Sequence, residues 1–191
     1  MNEKEMIEGD IVVEQIETMT VQNYLEALAS PRFPGPASGS AAATTAGMAA
    51  ALLEMSYHVT KKKFTKAMPI DEADIKRLRH HCLELATKDK EALEALIQVM
   101  KSKERDAHEY ERALQYATDP LVSIVSESRL ILNYAEKLLP ICDKRALPEL
   151  TGCQAFSKAA ITAAKVGIES NLHLLQDDIY KKEVESILHH D

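Results

Sequence analysis

Tryptophan is absent from this sequence of 191 residues, and all aromatic residues together make up only 5% of it. Proteins that hold single-stranded nucleic acid stack its bases on aromatic rings, so few such platforms are available here. Basic residues are also in the minority, since 23 Lys and Arg stand against 30 Asp and Glu and the formal net charge is −7. A phosphate backbone requires a basic surface. The composition therefore predicts no nucleic-acid partner.

Cysteine is scarce, and Cys82, Cys142 and Cys153 form neither a CxxC pair nor a Cys/His zinc motif. We expect reduced thiols and no metal site. The acidic residues that follow Met1 differ from the basic start of a secretory signal. The longest weakly polar run, residues 38–55, is too short and too polar for a membrane span. We therefore expect a cytoplasmic protein with no membrane partner.

Glycine and proline are also few, at six and seven residues, so long uninterrupted elements are expected. Apolar residues recur three or four positions apart, and no convincing strand pattern is present. The sequence predicts a single-domain, all-α helical bundle with an Ala-rich central helix that pairs as a two-fold dimer. The domain is expected over residues 20–188, after an N-terminal tail or short helix at residues 1–19.

Several residues mark the predicted helix boundaries. Thr20 suits the N-cap of a helix that Pro31 ends, and Asp71 suits the start of another that extends to about residue 100, with an irregularity near Lys88–Asp89. Asp119 and Pro120 have the pattern of a new helix start after a helix at 108–117. The last long helix is expected from Pro148 or Thr151 to Leu175, and an acidic segment, 176–188, closes the chain.

The loop PGPASGS, residues 34–40, leads directly into a helix. Small residues before a helix N-terminus present unpaired N–H groups with partial positive charge, which suit carboxylate, carbonyl or ring-nitrogen groups of a ligand. Simple capping of a buried helix by Ser38 or Ser40 accounts for the same residues. Both interpretations are open at this point.

The segment 20–63, TVQNYLEALASPRFPGPASGSAAATTAGMAAALLEMSYHVTKKK, carries a resemblance to a known family. It resembles the N-terminal signature of the formiminotetrahydrofolate cyclodeaminase / methenyltetrahydrofolate cyclohydrolase family, in which a helix, a PxPGGGS loop and an Ala-rich helix follow one another. The matching loop positions are Pro34, Pro36, Gly39 and Ser40, whereas Ala37 and Ser38 stand where the family has glycines.

Weaker similarities extend the resemblance to about residues 17–180. The segment KDKEALEALIQVM, 88–100, is similar to the family's DxxAF segment, with Asp89 at the acidic position, and ALQYATDPLVSI, 113–124, is similar to the segment that leads into ATxVPL. Asn171 is retained, but Gly167 stands where a second Asn is expected. Glu149, after Pro148, stands where the family commonly has a Ser-Asp pair.

The resemblance implies an all-helical homodimer that binds a tetrahydrofolate derivative as its substrate near the glycine loop, without a metal or other cofactor. The implied reactions are ring closure of a formimino group with loss of ammonia, or hydrolysis of a methenyl bridge to a formyl group. The departures at Ala37, Ser38 and Gly167 also allow an alternative, a non-catalytic folate-binding or structural helical dimer of the same family.

The two candidate catalytic residues are carboxylates. Asp89 is the first, because the reaction needs a proton acceptor and the adjacent Lys88 and Lys90 are expected to keep it ionised. A solvated charge on a helix surface is the alternative for Asp89. Glu149 is the second candidate, and its alternative is a first-turn Glu that complements the helix dipole.

The candidate substrate-binding residues are those of the loop and two others. The loop contributes Pro36, Ser38, Gly39 and Ser40, while Asn171 is expected to hold either the pterin ring or a backbone carbonyl. Lys61, the first of three consecutive lysines, is a candidate for the anionic glutamate tail of a folate. The same lysines also suit the negative end of a helix.

Overall fold

A computed structural model describes residues 15–31, 35–104 and 106–189 of the chain. Every regular element in these ranges is a helix, which confirms the all-α prediction for the described residues. Three short 3-10 turns occupy Ile16–Thr18, Leu139–Ile141 and Lys144–Ala146. The α-helices are α1 Val21–Ala29, α2 Ser38–Lys61, α3 Glu72–Lys101, α4 Ala107–Leu138, α5 Leu147–Leu172 and α6 Asp178–His189.

Four of these helices form a bundle. Both α3 and α5 pack extensively against α2 and against α4, so α2 and α4 lie diagonally across the core. The inner face of α2 is lined by small side chains, and its buried alanines are Ala42, Ala43, Ala46, Ala49 and Ala50. Because these side chains are short, the neighbouring helices approach α2 closely. The position of a Cβ atom on Gly47 would lie 3.4 Å from Leu83 Cδ2 of α3.

Apolar clusters follow one another along the bundle and define its layers. A first cluster surrounds the C-terminal half of α2. The second cluster includes Ala42, Ala43, Leu85, Ala86, Leu121, Ile124, Ala164 and Ile168. The third cluster consists of Ala92, Leu96, Leu114, Ala117 and Leu175. A short layer of α3, α4 and α5 therefore lies between the second and third clusters.

Two of the predicted N-caps, Thr20 and Asp71, are confirmed. Thr20 Oγ1 accepts a hydrogen bond from Asn23 N at 3.1 Å, and Asp71 Oδ1 accepts one from Ala73 N at 2.9 Å. The predicted end before Pro31 is confirmed as well, since α1 ends at Ala29 and Ser30 is extended. Of the predicted N-terminal tail or short helix, the described part contains a 3-10 turn, and residues 1–14 lie outside the described ranges.

The predicted helix start at Asp119-Pro120 is wrong, because α4 runs unbroken from Ala107 to Leu138 with Pro120 inside it. Proline removes the N–H that would bond to the carbonyl of Tyr116. The helix continues because residues on both sides of Pro120 are buried, among them Thr118 and Leu121. Packing against α3 and α5 thus outweighs the local preference of proline for a helix start.

Two other boundaries also differ from expectation. No irregularity interrupts α3 near residues 88–89, because the helix is continuous from Glu72 to Lys101. The last long helix ends at Leu172, three residues early, and the acidic segment after it forms α6. Across the described part of the chain, no helix is both long and apolar enough to span a membrane.

Candidate functional site

The carboxylate of Asp89 lies directly against the first turn of α2. A Cβ atom built on Gly39 would be 2.0 Å from Asp89 Oδ1 and 2.7 Å from Oδ2, so a side chain at position 39 and this carboxylate exclude each other. Gly39 lies within α2, where its conformation is helical. The glycine is therefore required for close approach and not for a positive φ angle.

Ser40 binds this carboxylate through two groups. Its Oγ donates a hydrogen bond to Asp89 Oδ2 at 2.9 Å, and its backbone N–H also donates to Asp89. The N-cap position of α2 is Ala37, which offers no side-chain cap, so neither Ser38 nor Ser40 is the N-cap. Asp89 of α3 thus provides the hydrogen-bond acceptor that a capping side chain would normally provide at the N-terminus of α2.

Asp89 is buried, with 6% of its surface exposed. The alternative of a solvated surface charge is therefore wrong. Burial raises the pKa of Asp89 above its ordinary value, and the two hydrogen bonds from Ser40 only partly oppose this rise. The expectation that adjacent lysines keep it ionised is not met, because Lys88 is exposed and Lys90 Nζ lies 3.4 Å from Glu94 Oε1.

Asn171 lies in the same layer of the bundle as Asp89, between the second and third apolar clusters. Its Nδ2 donates a hydrogen bond to Thr118 Oγ1 at 3.1 Å, which links α5 to α4. Pro36, in the loop before α2, is buried, and Ser38 is exposed. The structure therefore gathers Asp89, the loop residues and Asn171 at one end of the bundle.

Glu149 and Lys61 lie at the other end. Ser56 Oγ is 3.4 Å from Ala146 O, so the start of α5 lies beside the C-terminal part of α2. Sixteen residues of helix separate Ser56 from Ser40, or about 24 Å. Glu149 is in the first turn of α5, where its Oε2 is buried with no hydrogen-bond partner. Lys61, at the end of α2, binds Glu72 Oε2 at 3.0 Å.

Sequence reasoning missed two neutral polar residues at this end of the bundle, Tyr24 and Thr118. The hydroxyl of Tyr24 lies 3.2 Å from Thr44 Oγ1 of α2. Thr118 lies in the segment 113–124, whose similarity to the family indicated no role for this residue. Neither residue type stands out in an amphipathic pattern, so the pairing of the helices was needed to find them. Within the described ranges, no group of three or more His, Cys, Asp or Glu side chains could hold a metal ion.

Residues 20–190 match the family described as formiminotransferase-cyclodeaminase. The chain belongs to this family. Among solved structures, it is similar to the crystal structure of formiminotetrahydrofolate cyclodeaminase from Thermotoga maritima, with a TM-score of 0.80. The two chains are 24% identical, and the match covers 91% of this chain and 88% of the other, which shows a shared fold. No curated protein gives a significant match to the sequence.

In this member of the formiminotransferase-cyclodeaminase family, Ala37 and Ser38 replace two loop glycines without changing the space that the Asp89 carboxylate occupies. Ala37 has φ −132° and ψ −162°, an extended conformation that any residue adopts, so its side chain introduces no backbone strain. Ser38 is exposed and does not crowd the helix. Gly39, where a side chain would collide with Asp89, remains glycine.

Proposed function

We propose that this chain acts on the one-carbon bridge of tetrahydrofolate derivatives, as a methenyltetrahydrofolate cyclohydrolase or a formiminotetrahydrofolate cyclodeaminase. The observation that carries the proposal is the buried Asp89 carboxylate, seated on Gly39 and held by Ser40. Membership of the family and the activity named for the Thermotoga maritima protein support the class of substrate.

Asp89 is proposed as the group that moves the proton in either reaction. In the hydrolysis, water adds to the bridging carbon of the cationic methenyl group and gives one proton to Asp89, which passes it to the nitrogen that departs. As the carbon–nitrogen bond breaks, the hydroxyl of the intermediate releases its proton to solvent and becomes the formyl carbonyl. In the cyclisation, the attacking nitrogen gives up the proton, and the departing ammonia receives it. A carboxylate whose pKa is raised by burial is a stronger base than an exposed one, which suits it to this task.

The other candidate residues take supporting roles in this proposal. Ser40 orients the carboxylate, Gly39 leaves room for it, and Pro36 and Ser38 border the approach from the loop. Asn171 is proposed to hydrogen-bond the pterin ring from α5. We assign Glu149 and Lys61 no role in the site of their own chain, because they lie at the opposite end of the bundle.

One observation favours the alternative, a non-catalytic folate-binding or structural protein of the same family. Asp89 is only 6% exposed, so a substrate atom reaches it only when the surrounding chain moves. We expect 5-formyltetrahydrofolate, at about 100 times its Kd, to stabilise the protein by about 2.7 kcal/mol. For a chain of this size that is about 5–10 °C in Tm.

This thermal-shift experiment separates the candidates when it is combined with a hydrolysis assay. Binding together with methenyltetrahydrofolate hydrolysis above the spontaneous rate supports the enzyme. Binding without hydrolysis supports the non-catalytic alternative. A Tm unchanged by saturating 5-formyltetrahydrofolate contradicts both folate-binding proposals and leaves a structural role.

We further propose that residues 20–188 form one domain that assembles as a two-fold dimer in the cytoplasm, where its three free cysteines remain reduced. The supporting observation is a set of exposed apolar side chains on α2 and α5. Met48, Met55 and Phe156 are exposed there, and Leu52 Cδ1 lies 3.2 Å from the position of a Cβ atom on Gly152, so the two helices share this surface.

Met48→Glu is expected to weaken dimerisation by at least about tenfold, because it brings a charge into an apolar contact. Light scattering at micromolar concentration measures the change. Met100→Glu is the matched control, since Met48 and Met100 are each 51% exposed but Met100 lies near the end of α3. If the wild-type protein is strictly monomeric, or if both substitutions weaken dimerisation equally, this surface is not the dimer interface.

A further inference from the structure

The residues that precede α2 are attached both to α3, which carries Asp89, and to α2, which contacts it. Ile16 N donates a hydrogen bond to Thr87 Oγ1 of α3 at 3.1 Å, and Thr87 Oγ1 donates to Glu17 Oε2 at 2.6 Å. Eight residues after Ile16, the Tyr24 hydroxyl reaches Thr44 of α2. Thr87 lies two residues before Asp89, and Thr44 lies one helical turn after Ser40.

The direction of the Tyr24 hydrogen bond follows from the other contacts of Thr44. The single hydroxyl hydrogen of Thr44 is directed to backbone carbonyls of its own helix, at 3.1 Å from Ser40 O and 3.0 Å from Ala41 O. Thr44 Oγ1 is therefore an acceptor, and Tyr24 donates to it. Hydrogen bonds thus connect Tyr24 to Thr44 and Thr44 to the backbone carbonyl of Ser40, the residue whose side chain donates to Asp89.

The packing of α1 makes this hydrogen bond important. None of the residues of α1 is buried, and Val21 and Leu25 are largely exposed. A helix that buries so little apolar surface is held weakly by the hydrophobic effect. Its position therefore depends on specific contacts, and Tyr24 provides one at the centre of the helix.

The Tyr24 hydroxyl is also within electrostatic range of the carboxylate. Burial raises the pKa of the Tyr24 hydroxyl, and the negative charge of Asp89 raises it further. Glu17 is a charged group that contacts α3 beside Asp89, since its Oε2 accepts from Thr87 Oγ1 at 2.6 Å. Residues 38–50 of α2 contain no ionisable side chain, and Thr118 of α4 and Asn171 of α5 are neutral. On α3 itself, Lys88 is exposed and Lys90 is paired with Glu94.

We propose that Tyr24 is a positioning residue for Asp89. Its hydrogen bond to Thr44 holds α1 against the first turns of α2, and α1 in this position excludes water from the Asp89 carboxylate. Opening of α1 then admits both water and substrate to the carboxylate. The inference deepens the proposed function, since Asp89 is the proposed proton acceptor, but the hydration of Asp89 can be measured without any activity.

Tyr24→Phe retains the ring and removes the donor. We expect the pKa of Asp89, followed by NMR of a 13C-labelled carboxylate, to fall toward its ordinary value of 3.8 in this variant. Thr44→Val removes the acceptor and is expected to have the same effect, and the double variant no additional one. Tyr134→Phe is the control, because its hydroxyl binds Asp74 Oδ2 at 3.2 Å near the start of α3.

The outcomes decide the proposal separately from the activity. A lower pKa of Asp89 in Tyr24→Phe and Thr44→Val, but not in Tyr134→Phe, supports the positioning role. An unchanged or raised pKa in both folded variants overturns it. If the wild type hydrolyses methenyltetrahydrofolate, the acid limb of its pH–rate profile is expected to move with the Asp89 pKa. If it does not, the proposed enzyme fails while the titration still tests Tyr24.

Discussion

The Gly39→Ala variant is expected to lose about 2 kcal/mol of unfolding free energy and, if the protein is an enzyme, roughly a hundredfold in kcat/KM. Its new methyl group would lie within 2.0–2.7 Å of three atoms of Asp89, so the carboxylate must leave its seat. Overpacking of this kind typically costs about 1–3 kcal/mol, and a displacement of about 1 Å at a reacting group can lower the rate about a hundredfold.

Gly47→Ala is the matched control on the same helix. Its methyl group would lie 3.4 Å from Leu83 Cδ2, at ordinary van der Waals distance. The gain in helix propensity, up to about 1 kcal/mol, then appears without a collision. Urea unfolding measures both variants. The collision is absent when Asp89 is also replaced by Ala, so Gly39→Ala is expected to be harmless in that background. Equal destabilisation in both backgrounds would show that Asp89 is not what Gly39 accommodates.

The Asp89→Asn variant is expected to lower methenyltetrahydrofolate hydrolysis by at least about tenfold with little change in ligand affinity. Asparagine keeps the shape of the side chain and its ability to accept from Ser40, but it cannot take up a proton. The pH–rate profile of the wild type is expected to fall on the acid side at a pH above the ordinary pKa of Asp, because burial raises the pKa of Asp89.

Two comparisons make this measurement specific. Glu84→Gln changes an exposed carboxylate on the same helix to an amide, so it controls for the change in net charge. Glu149→Gln tests the other candidate acid, at the far end of the bundle. If Asp89→Asn is as active as the wild type after subtraction of the spontaneous rate, Asp89 is not the proton acceptor. A loss of hydrolysis activity in Glu149→Gln alone would assign the role of proton acceptor to Glu149.

The helical architecture was predictable because local signals agree with packing along most of the chain. Thr20 and Asp71 were recognisable as N-caps from residue type and position, and both make the expected hydrogen bonds. The prediction failed at Pro120, where a local signal for a helix start is overridden by apolar residues buried on both sides. A long helix is decided by its whole buried face, whereas an N-cap is decided within one turn.

The site was predictable in part for a similar reason. The loop and Asp89 were identified through the family resemblance, but the burial of Asp89 was not foreseen, because its neighbours Lys88 and Lys90 suggest a solvated surface. Their side chains point elsewhere on the helix, since consecutive residues are separated by about 100°. The meeting of Asp89 with Gly39 spans 50 residues and depends on how α3 packs on α2.

Burial of the Asp89 carboxylate opposes thermal stability to the proposed catalytic role of this residue. The pKa of Asp89 is higher in the folded protein than its ordinary value of 3.8, so the folded state binds the proton more tightly than the unfolded chain. Well above pH 3.8 this side chain therefore disfavours folding, and the penalty disappears as the pH falls below 3.8. Directed evolution that selects for survival at high temperature alone would therefore favour replacements of Asp89, and the most stable variants would lack the proposed proton acceptor.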